Sequence, residues 1–250
     1  MFDLFTITAI AGTFFLAGAV KGVIGLGLPT LSLGLLTATL DLTTAMALLI
    51  VPSFITNVWQ AVVGGNGRVI LRRIWSFLLM ATASVWLGAT ALTRVDLSLL
   101  SGLLGGLLVT YAALTLAGFR LALSAQRELW TGPLFGTVNG ILTGMTGSFV
   151  VPGVMFLQAI GLPRDSLVQA MGMLFTASTV ALALALQGNS ILTTELSVIS
   201  AAAVIPAAVG MVSGQHIRRR LSEESFRQVF FIAILMLGGY IIAKATLGSR

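Results

Sequence analysis

Two glycine-rich stretches decide the fold of this chain: residues 18–29 read GAVKGVIGLGLP, and residues 140–152 read GILTGMTGSFVVP. Each interrupts a long apolar run with glycines and ends on a proline, and these two residue types are the least compatible with the interior of a helix. A shift of 122 positions aligns three glycines of the first stretch with three of the second: Gly18, Gly22 and Gly25 with Gly140, Gly144 and Gly147. The chain is therefore predicted to contain two related halves with equivalent helix breaks.

The composition is typical of a membrane protein. Of the 250 residues, 57% are hydrophobic and 9% are charged, whereas soluble domains carry about 25% charged residues. Because the chain has no cysteine, disulfides and thiolate chemistry are excluded. The net charge of +6 comes from basic residues between apolar runs, a pattern typical of cytoplasmic loops. The lipid bilayer, and not nucleic acid, is therefore the expected partner.

Apolar stretches recur along the chain at 4–24, 29–40, 43–64, 74–93, 97–118, 131–146, 150–161, 166–187, 196–215 and 226–247. Six are long enough to span a bilayer alone, and the other four form two pairs split by the glycine-rich stretches. We predict an all-α integral membrane protein with two inverted-topology repeats, each beginning with a broken helical hairpin followed by three spanning helices. The first transmembrane repeat is 1–118, a cytoplasmic linker is 119–130, and the second transmembrane repeat is 131–250.

The basic residues indicate the orientation, since lysine and arginine in short loops gather on the cytoplasmic side. If each split pair returns to the side it entered, most arginines share one face: Arg68, Arg72, Arg73, Arg120, Arg127, Arg164, Arg218, Arg219, Arg220 and Arg227. Arg94, Lys244 and Arg250 then lie on the other face. If each pair crossed once, the clusters at 68–73 and 218–220 would lie on opposite sides. The hairpin arrangement, with both termini outside, is the better prediction.

The predicted breaks suit anion binding. A helix interrupted at membrane depth leaves backbone groups that would cost several kcal/mol each in contact with lipid, so such breaks lie beside protein or a wet cavity. The N-terminus of a broken helix presents free amides and a positive dipole end to anions. The alternative is that these glycines only allow close packing of helices. Recurrence at matching spacing, followed each time by proline, favours the binding interpretation.

Lys21 is the charged residue that the sequence places well inside the hydrocarbon region, beside the first break. An unpaired ammonium there costs roughly 3 kcal/mol or more, which favours an anionic ligand as its partner. Its repeat mate, Thr143, is uncharged. The alternative is that Lys21 extends toward an interface from a shallower hairpin.

Neutral polar residues complete the predicted site. Asn57, Asn139 and Gln169 interrupt apolar helices and can donate hydrogen bonds to an oxyanion; interhelical hydrogen bonding is the alternative for each. The eight acidic residues all lie near predicted loops or helix ends. A buried carboxylate for proton coupling is therefore not expected, and the membrane potential would suffice to drive an anion outward.

The motifs GAVKGVIGLGLP and GILTGMTGSFVVP resemble those of the TauE/SafE family of membrane exporters, and the resemblance covers nearly the whole chain. It implies a transporter of the bacterial inner membrane that exports sulfite or small organosulfonates. This chain differs from the usual family pattern of consecutive glycines after the break, since Leu26 and Leu28 flank Gly27 and Ser148 and Phe149 follow Gly147.

We therefore predict an exporter of a small anion, working by alternating access at a midplane site between two broken hairpins. The predicted substrate-binding residues are Lys21, Gly22, Gly25, Gly27, Asn57, Asn139, Thr143, Gly144, Gly147, Ser148 and Gln169. No catalytic residue, metal site or cofactor is expected. Export of another small anion or organic acid, and catalysis by an intramembrane enzyme, are the alternatives. The sequence leaves a homodimer open.

Overall fold

The computed structural model describes residues 2–119, 121–218 and 222–247, and every element among them is helical. The α-helices are α1 Leu4–Ile24, α2 Leu28–Thr39, α3 Leu42–Val62, α4 Gly67–Ala83, α5 Val85–Ala89, α6 Leu97–Leu116, α7 Ala125–Thr146, α8 Gly153–Ala159, α9 Arg164–Gly188, α10 Thr194–Ala202, α11 Val204–Arg218 and α12 Glu223–Leu247. A 3₁₀ turn, Thr90–Thr93, continues α5. The all-α prediction is confirmed for the described residues.

Seven helical segments in this described part are long and apolar enough to cross a membrane: Leu4–Ile24, Leu42–Val62, Gly67–Thr93, Leu97–Leu116, Arg164–Gly188, Thr194–Arg218 and Glu224–Leu247. The first of them, α1, was predicted as one arm of a broken hairpin, and its 21 residues are sufficient for a full crossing. The other arm, α2, is a shorter apolar helix. The first predicted pair thus consists of a long and a short helix.

The described helices form two compact units that do not follow chain order. The first unit comprises Met1–Pro52, Asp96–Gly118 and Leu192–Arg250, and the second comprises Ser53–Val95 and Phe119–Ile191. Each unit therefore takes segments from both predicted halves, and the division falls within α3. The boundaries at 118 and 131 remain a prediction about the repeat.

In the first unit, α1 packs against α11 and α6 packs against α12. Glycines allow the α1 and α11 backbones to touch, since a Cβ atom on Gly18 would collide with the Ala207 carbonyl oxygen. An edge-to-face pair of Tyr111 and Phe231, with ring centroids 5.1 Å apart, joins α6 to α12. Small residues at helix contacts are the usual means of association where lipid removes the hydrophobic driving force.

In the second unit, α7 packs along α4 and α5, and α9 contacts the same two helices. A Cβ atom on Gly140 would lie 2.5 Å from the Ala81 carbonyl oxygen. Phe77 of α4 stacks on Phe156 of α8 with centroids 4.7 Å apart. The contact of α7 with α4 thus resembles that of α1 with α11, because in each a glycine of one helix lies against the backbone of the other.

Two predicted boundaries differ from the structure. Helix α7 begins at Ala125, inside the segment predicted as the linker 119–130, and Glu128 in its first turn suits the positive end of the helix dipole. The stretch 150–161, predicted as one apolar element, contains the seven helical residues of α8. Among the arginines that the sequence assigns to the two faces, Arg120, Arg219, Arg220 and Arg250 lie outside the described residues.

Candidate functional site: two helix interruptions

The first interruption spans three residues, Gly25 to Gly27. Gly25 ends α1 in the left-handed conformation, with φ 78°, and its N–H donates to the Lys21 carbonyl oxygen at 2.8 Å. Gly27, with φ 107°, precedes α2 and makes no side-chain cap. The predicted break at this position is confirmed, and glycine is required because both φ values are positive.

Helix α2 begins with buried residues and has no side-chain cap, because its N-cap residue is Gly27. Leu28, Pro29 and Thr30 are buried, and no side chain of the N-cap residue accepts from the first turn. The first amides of a helix have no acceptor within it, and Pro29 removes one of them because it lacks an N–H. The remaining amides make the start of α2 a favourable place for an anion or an ordered water.

Lys21 lies in the last turn of α1, four residues before Gly25, and it is 6% exposed. A cation in this turn is favoured by the partial negative charge at the helix C-terminus. Lys21 is therefore buried among protein atoms. Its position well inside the hydrocarbon region stays a prediction, as does the alternative in which it extends toward a membrane interface.

The second interruption is longer. Gly147 ends α7 with φ 74°, and its N–H donates to the Thr143 carbonyl oxygen at 2.7 Å, which matches the Gly25 geometry. Residues 148–152 then follow without helix before α8. Thr143 Oγ1 donates to the Ser148 carbonyl oxygen at 2.9 Å, and Thr146 Oγ1 accepts from the Ser148 N–H at 3.2 Å. Side chains of α7 therefore satisfy backbone groups that this break frees.

Asn139 holds the start of α8. Its side chain is fully buried, and Oδ1 accepts a hydrogen bond from the Gly153 N–H at 2.9 Å. No described residue accepts from Asn139 Nδ2, which is also buried. The amide of Asn139 thus fixes the second break through its oxygen and keeps a buried donor for another acceptor.

Asn57 belongs to a buried polar cluster between α3 and α9. Its Nδ2 donates to Ser53 Oγ at 2.9 Å, and Ser53 Oγ lies 3.3 Å from Thr179 Oγ1. Neighbouring Ser178 is fully buried, and its Oγ has no partner among the described residues. Sequence reasoning did not select Ser53, Ser178 or Thr179. The 122-residue shift could have found Ser178 and Thr179, because it aligns them with Thr56 and Asn57.

Gln169 uses one of its two amide N–H groups on backbone, since Nε2 donates to the Ala61 carbonyl oxygen at 2.9 Å. Donation by Gln169 to an oxyanion stays a prediction. No described residue donates to Gln169 Oε1, although this oxygen is buried. The group that Gln169 leaves unsatisfied is therefore an acceptor.

Gly22 and Gly144, both predicted to line the site, occupy helix contacts. A Cβ atom on Gly22 would collide with the Met211 carbonyl oxygen of α11, and one on Gly144 with the Val85 carbonyl oxygen of α5. Their positions favour the packing alternative, because the neighbouring backbone leaves no room for even a methyl group. The glycines that form the breaks are Gly25, Gly27 and Gly147.

The C-terminal ends of the two short helices are held in the same way. In the first unit, Lys244 Nζ donates to the Ala38 carbonyl oxygen at 2.8 Å. In the second, Arg73 Nη2 donates to the Ile160 carbonyl oxygen at 2.7 Å and pairs with Glu128 at 2.6 Å. Ala38 and Ile160 are 122 positions apart, so a lysine and an arginine cap two carbonyls that the predicted repeat would align.

Within the described residues, no group of three or more His, Asp or Glu side chains could hold a metal ion. Comparison with known proteins gave no matching curated protein and no matching solved structure. A family model described as "Sulfite exporter TauE/SafE" matches residues 10–241. Together with the seven apolar helical segments, this match makes the chain a multi-pass membrane protein of a transporter family. The chain belongs to the sulfite exporter TauE/SafE family.

Proposed function

We propose that this protein exports a small anion, sulfite or a small organosulfonate, across the bacterial inner membrane. Two inverted halves would work by alternating access. The single observation that carries the proposal is the first interruption, where the start of α2, which lacks a side-chain cap, follows a buried lysine by seven residues. The family supports transport over intramembrane catalysis, since its members are described as exporters.

Lys21 supplies the positive charge in this proposal, and the first-turn amides of α2 supply hydrogen bonds to the anion. Gly25 and Gly27 allow the backbone to turn there. The second interruption, in the other unit, has a donor of its own, Asn139 Nδ2, and its backbone is shaped by Gly147, Thr143 and Ser148. A single buried cation with several neutral donors suits a small oxyanion, because one charge is offset while the donors satisfy the remaining oxygens.

Uncoupled export is part of the proposal. The described acidic residues lie at helix ends, where Asp3 and Asp96 accept from first-turn amides and Asp165, Glu195 and Glu128 lie in first turns. The membrane potential alone contributes about 2.3 kcal/mol per charge per 100 mV to an anion leaving a negative interior. Voltage and a pH gradient varied independently in proteoliposomes test this point, and flux that requires the pH gradient alone would contradict it.

The substitution Lys21→Ala tests the site. We expect sulfite flux in proteoliposomes to fall by at least about tenfold, since one lost charge interaction is worth roughly 1.4 kcal/mol or more. Lys21→Arg keeps the charge but not the compact ammonium, and should retain only part of the flux. Arg94→Ala, at an exposed arginine outside both interruptions, is the control and should transport normally. Normal flux in Lys21→Ala would remove Lys21 from the site.

A further inference from the structure

An open pocket of about 370 Å³ lies where α3 turns into α4, in the second unit. Its lining includes Asn66, Gly67 and Arg68 from the turn and the first residues of α4, together with Gln169 of α9. This pocket is separate in sequence from both interruptions. Of the predicted substrate-binding residues, Gln169 lines this pocket, and the residues of the two breaks do not.

One wall of the pocket attracts anions. Helix α4 has 17 residues, its N-cap Asn66 makes no side-chain cap, and its first turn contains no acidic residue. The amides of Gly67 and Arg68 precede the first intrahelical bonds, in which the Val69 and Ile70 N–H groups donate to the Asn66 carbonyl oxygen. The Arg68 side chain adds a full positive charge beside these amides.

Gln169 of α9, which also lines the pocket, supplies an acceptor. Gln169 is 2% exposed, and its Nε2 donates to the Ala61 carbonyl oxygen. Its buried Oε1 receives no hydrogen bond from any described residue. The loop approaches this oxygen closely, because a Cβ atom on Gly64, which has φ 137°, would lie 2.9 Å from it. A buried carbonyl without a donor is costly, so a ligand that donates to it would be favoured.

We propose that this pocket binds a small oxyanion that also carries an O–H or N–H donor. The oxyanion contacts Arg68 and the start of α4, and the donor bonds to Gln169 Oε1. The inference rests on the proposed function only in treating the pocket as an entry point for the exported anion. It narrows the substrate class, because a sulfonate with a hydroxyl or ammonium group would be preferred over one that ends in a methyl group.

The chain contains no cysteine, so Asn66→Cys places a single thiol at the pocket. Asn66 makes no side-chain cap, so the change removes no capping hydrogen bond. Protection of this thiol from N-ethylmaleimide is measured on the purified full-length protein in detergent. The two probes are isethionate and ethanesulfonate, which differ in whether the carbon end carries a hydroxyl group.

We expect isethionate to protect at about tenfold lower concentration than ethanesulfonate, as one hydrogen bond to a buried acceptor predicts. In Gln169→Met, the two probes should protect the thiol at the same concentration. A substitution that only disturbed the pocket would instead raise the protecting concentration of both probes by the same factor. Arg68→Gln should weaken protection by both, whereas Arg72→Gln, an exposed arginine outside the pocket, should not. Equal protection by the probes, protection by neither, or protection independent of Arg68 would overturn the proposal.

The protection experiment can be distinguished from the test of Lys21-dependent export. If Lys21→Ala loses flux while protection of the thiol in Asn66→Cys persists, the pocket is a distinct site and the inference stands. If protection is absent while wild-type flux is normal and depends on Lys21, the pocket proposal falls and the proposed function remains. If protection is normal but flux does not depend on Lys21, the site assigned to the first break falls and the pocket stands.

Discussion

The two helix interruptions begin alike and continue differently. Both open with a left-handed glycine, Gly25 or Gly147, that donates to the carbonyl oxygen four residues earlier. The first then resumes helix after three residues with no side-chain cap, whereas the second uses Asn139, Thr143 and Thr146 to satisfy its backbone. The same glycine pattern therefore gives one break that starts a helix without a side-chain cap near a lysine, and one break stabilised by its own side chains.

The largest expected effect tests whether the helix pairs behind the two breaks are equivalent. Gly18→Ala and Gly140→Ala each place a methyl group against backbone of the neighbouring helix. We expect each to lower the free energy of unfolding in detergent by about 3 kcal/mol, since backbone cannot move as a side chain does. Gly12→Ala is the control, because its Cβ would have no neighbour within 4 Å. Stability of Gly18→Ala equal to that of the control would contradict the close α1–α11 contact.

Asn139→Ala addresses the side-chain support that distinguishes the second break. The Gly153 N–H would lose its acceptor in the protein interior, and we expect a loss of about 2 kcal/mol in thermal unfolding. Asn189→Ala is a matched control, since Asn189 donates to a carbonyl at the end of its own helix and is only partly buried. A loss no larger than that of Asn189→Ala would mean that the second break does not depend on Asn139.

The ends of the short helices allow a smaller comparison. Arg73→Gln should lower stability by about 1 kcal/mol, because the guanidinium pairs with Glu128 and caps Ile160 while remaining partly exposed. Lys244→Gln removes the corresponding cap on the Ala38 carbonyl and should cost less, since a single hydrogen bond is lost there. A double-mutant cycle of Arg73→Gln with Glu128→Gln separates the ion pair from the cap. A greater loss of stability in Lys244→Gln than in Arg73→Gln would contradict the expectation that the ion pair adds to the cap at Arg73.

The smallest expected effect concerns the junction after each short helix. Asp41 accepts from the Thr43 hydroxyl and the Thr44 N–H, whereas the N-cap residue of α9, Pro163, makes no side-chain cap. Burial raises the pKa of Asp41, but the hydrogen bonds from Thr43 and Thr44 outweigh it and the pKa lies below its usual value. The stabilisation is therefore present above the pKa of the unfolded chain and is lost as pH falls through the folded value.

Asp41→Asn should accordingly cost about 0.5 kcal/mol at neutral pH and less in acid, measured as the difference in unfolding free energy from wild type. Thr43→Val removes one of the bonds that lower the pKa, so the acid loss should begin at higher pH. A difference between Asp41→Asn and wild type that grows as the pH falls would contradict this assignment of Asp41.

The breaks and the family could be predicted from the sequence because both depend on local chemistry. Glycine with positive φ at Gly25 and Gly147 is a property of a few residues, and the flanking motifs carry the family resemblance. Whether Gly22 and Gly144 belong to a helix break or to a helix contact could not be predicted, because glycine is suited to both. The contact depends on Met211 and Val85, which are distant in sequence.

The hydrogen-bond partners of the Gln169 amide could also not be predicted from the sequence. An amide carries donors and an acceptor, and which one remains unsatisfied depends on the Ala61 carbonyl and the Gly64 loop. The presence of segments from both predicted halves in each compact unit is likewise a tertiary property. Apolar stretches predict where helices begin and end to within several residues, but they do not indicate which helices become neighbours.

The pairing of α1 with α11 has a consequence for biosynthesis. Gly18 and the Ala207 carbonyl that it faces are separated by 189 positions along the chain. At translation rates of about 5–20 residues per second, roughly 10 to 40 s pass between their emergence from the ribosome. During this interval α1 exists without the helix against which it packs, so the backbone contact at Gly18 can form only after most of the chain has been synthesised.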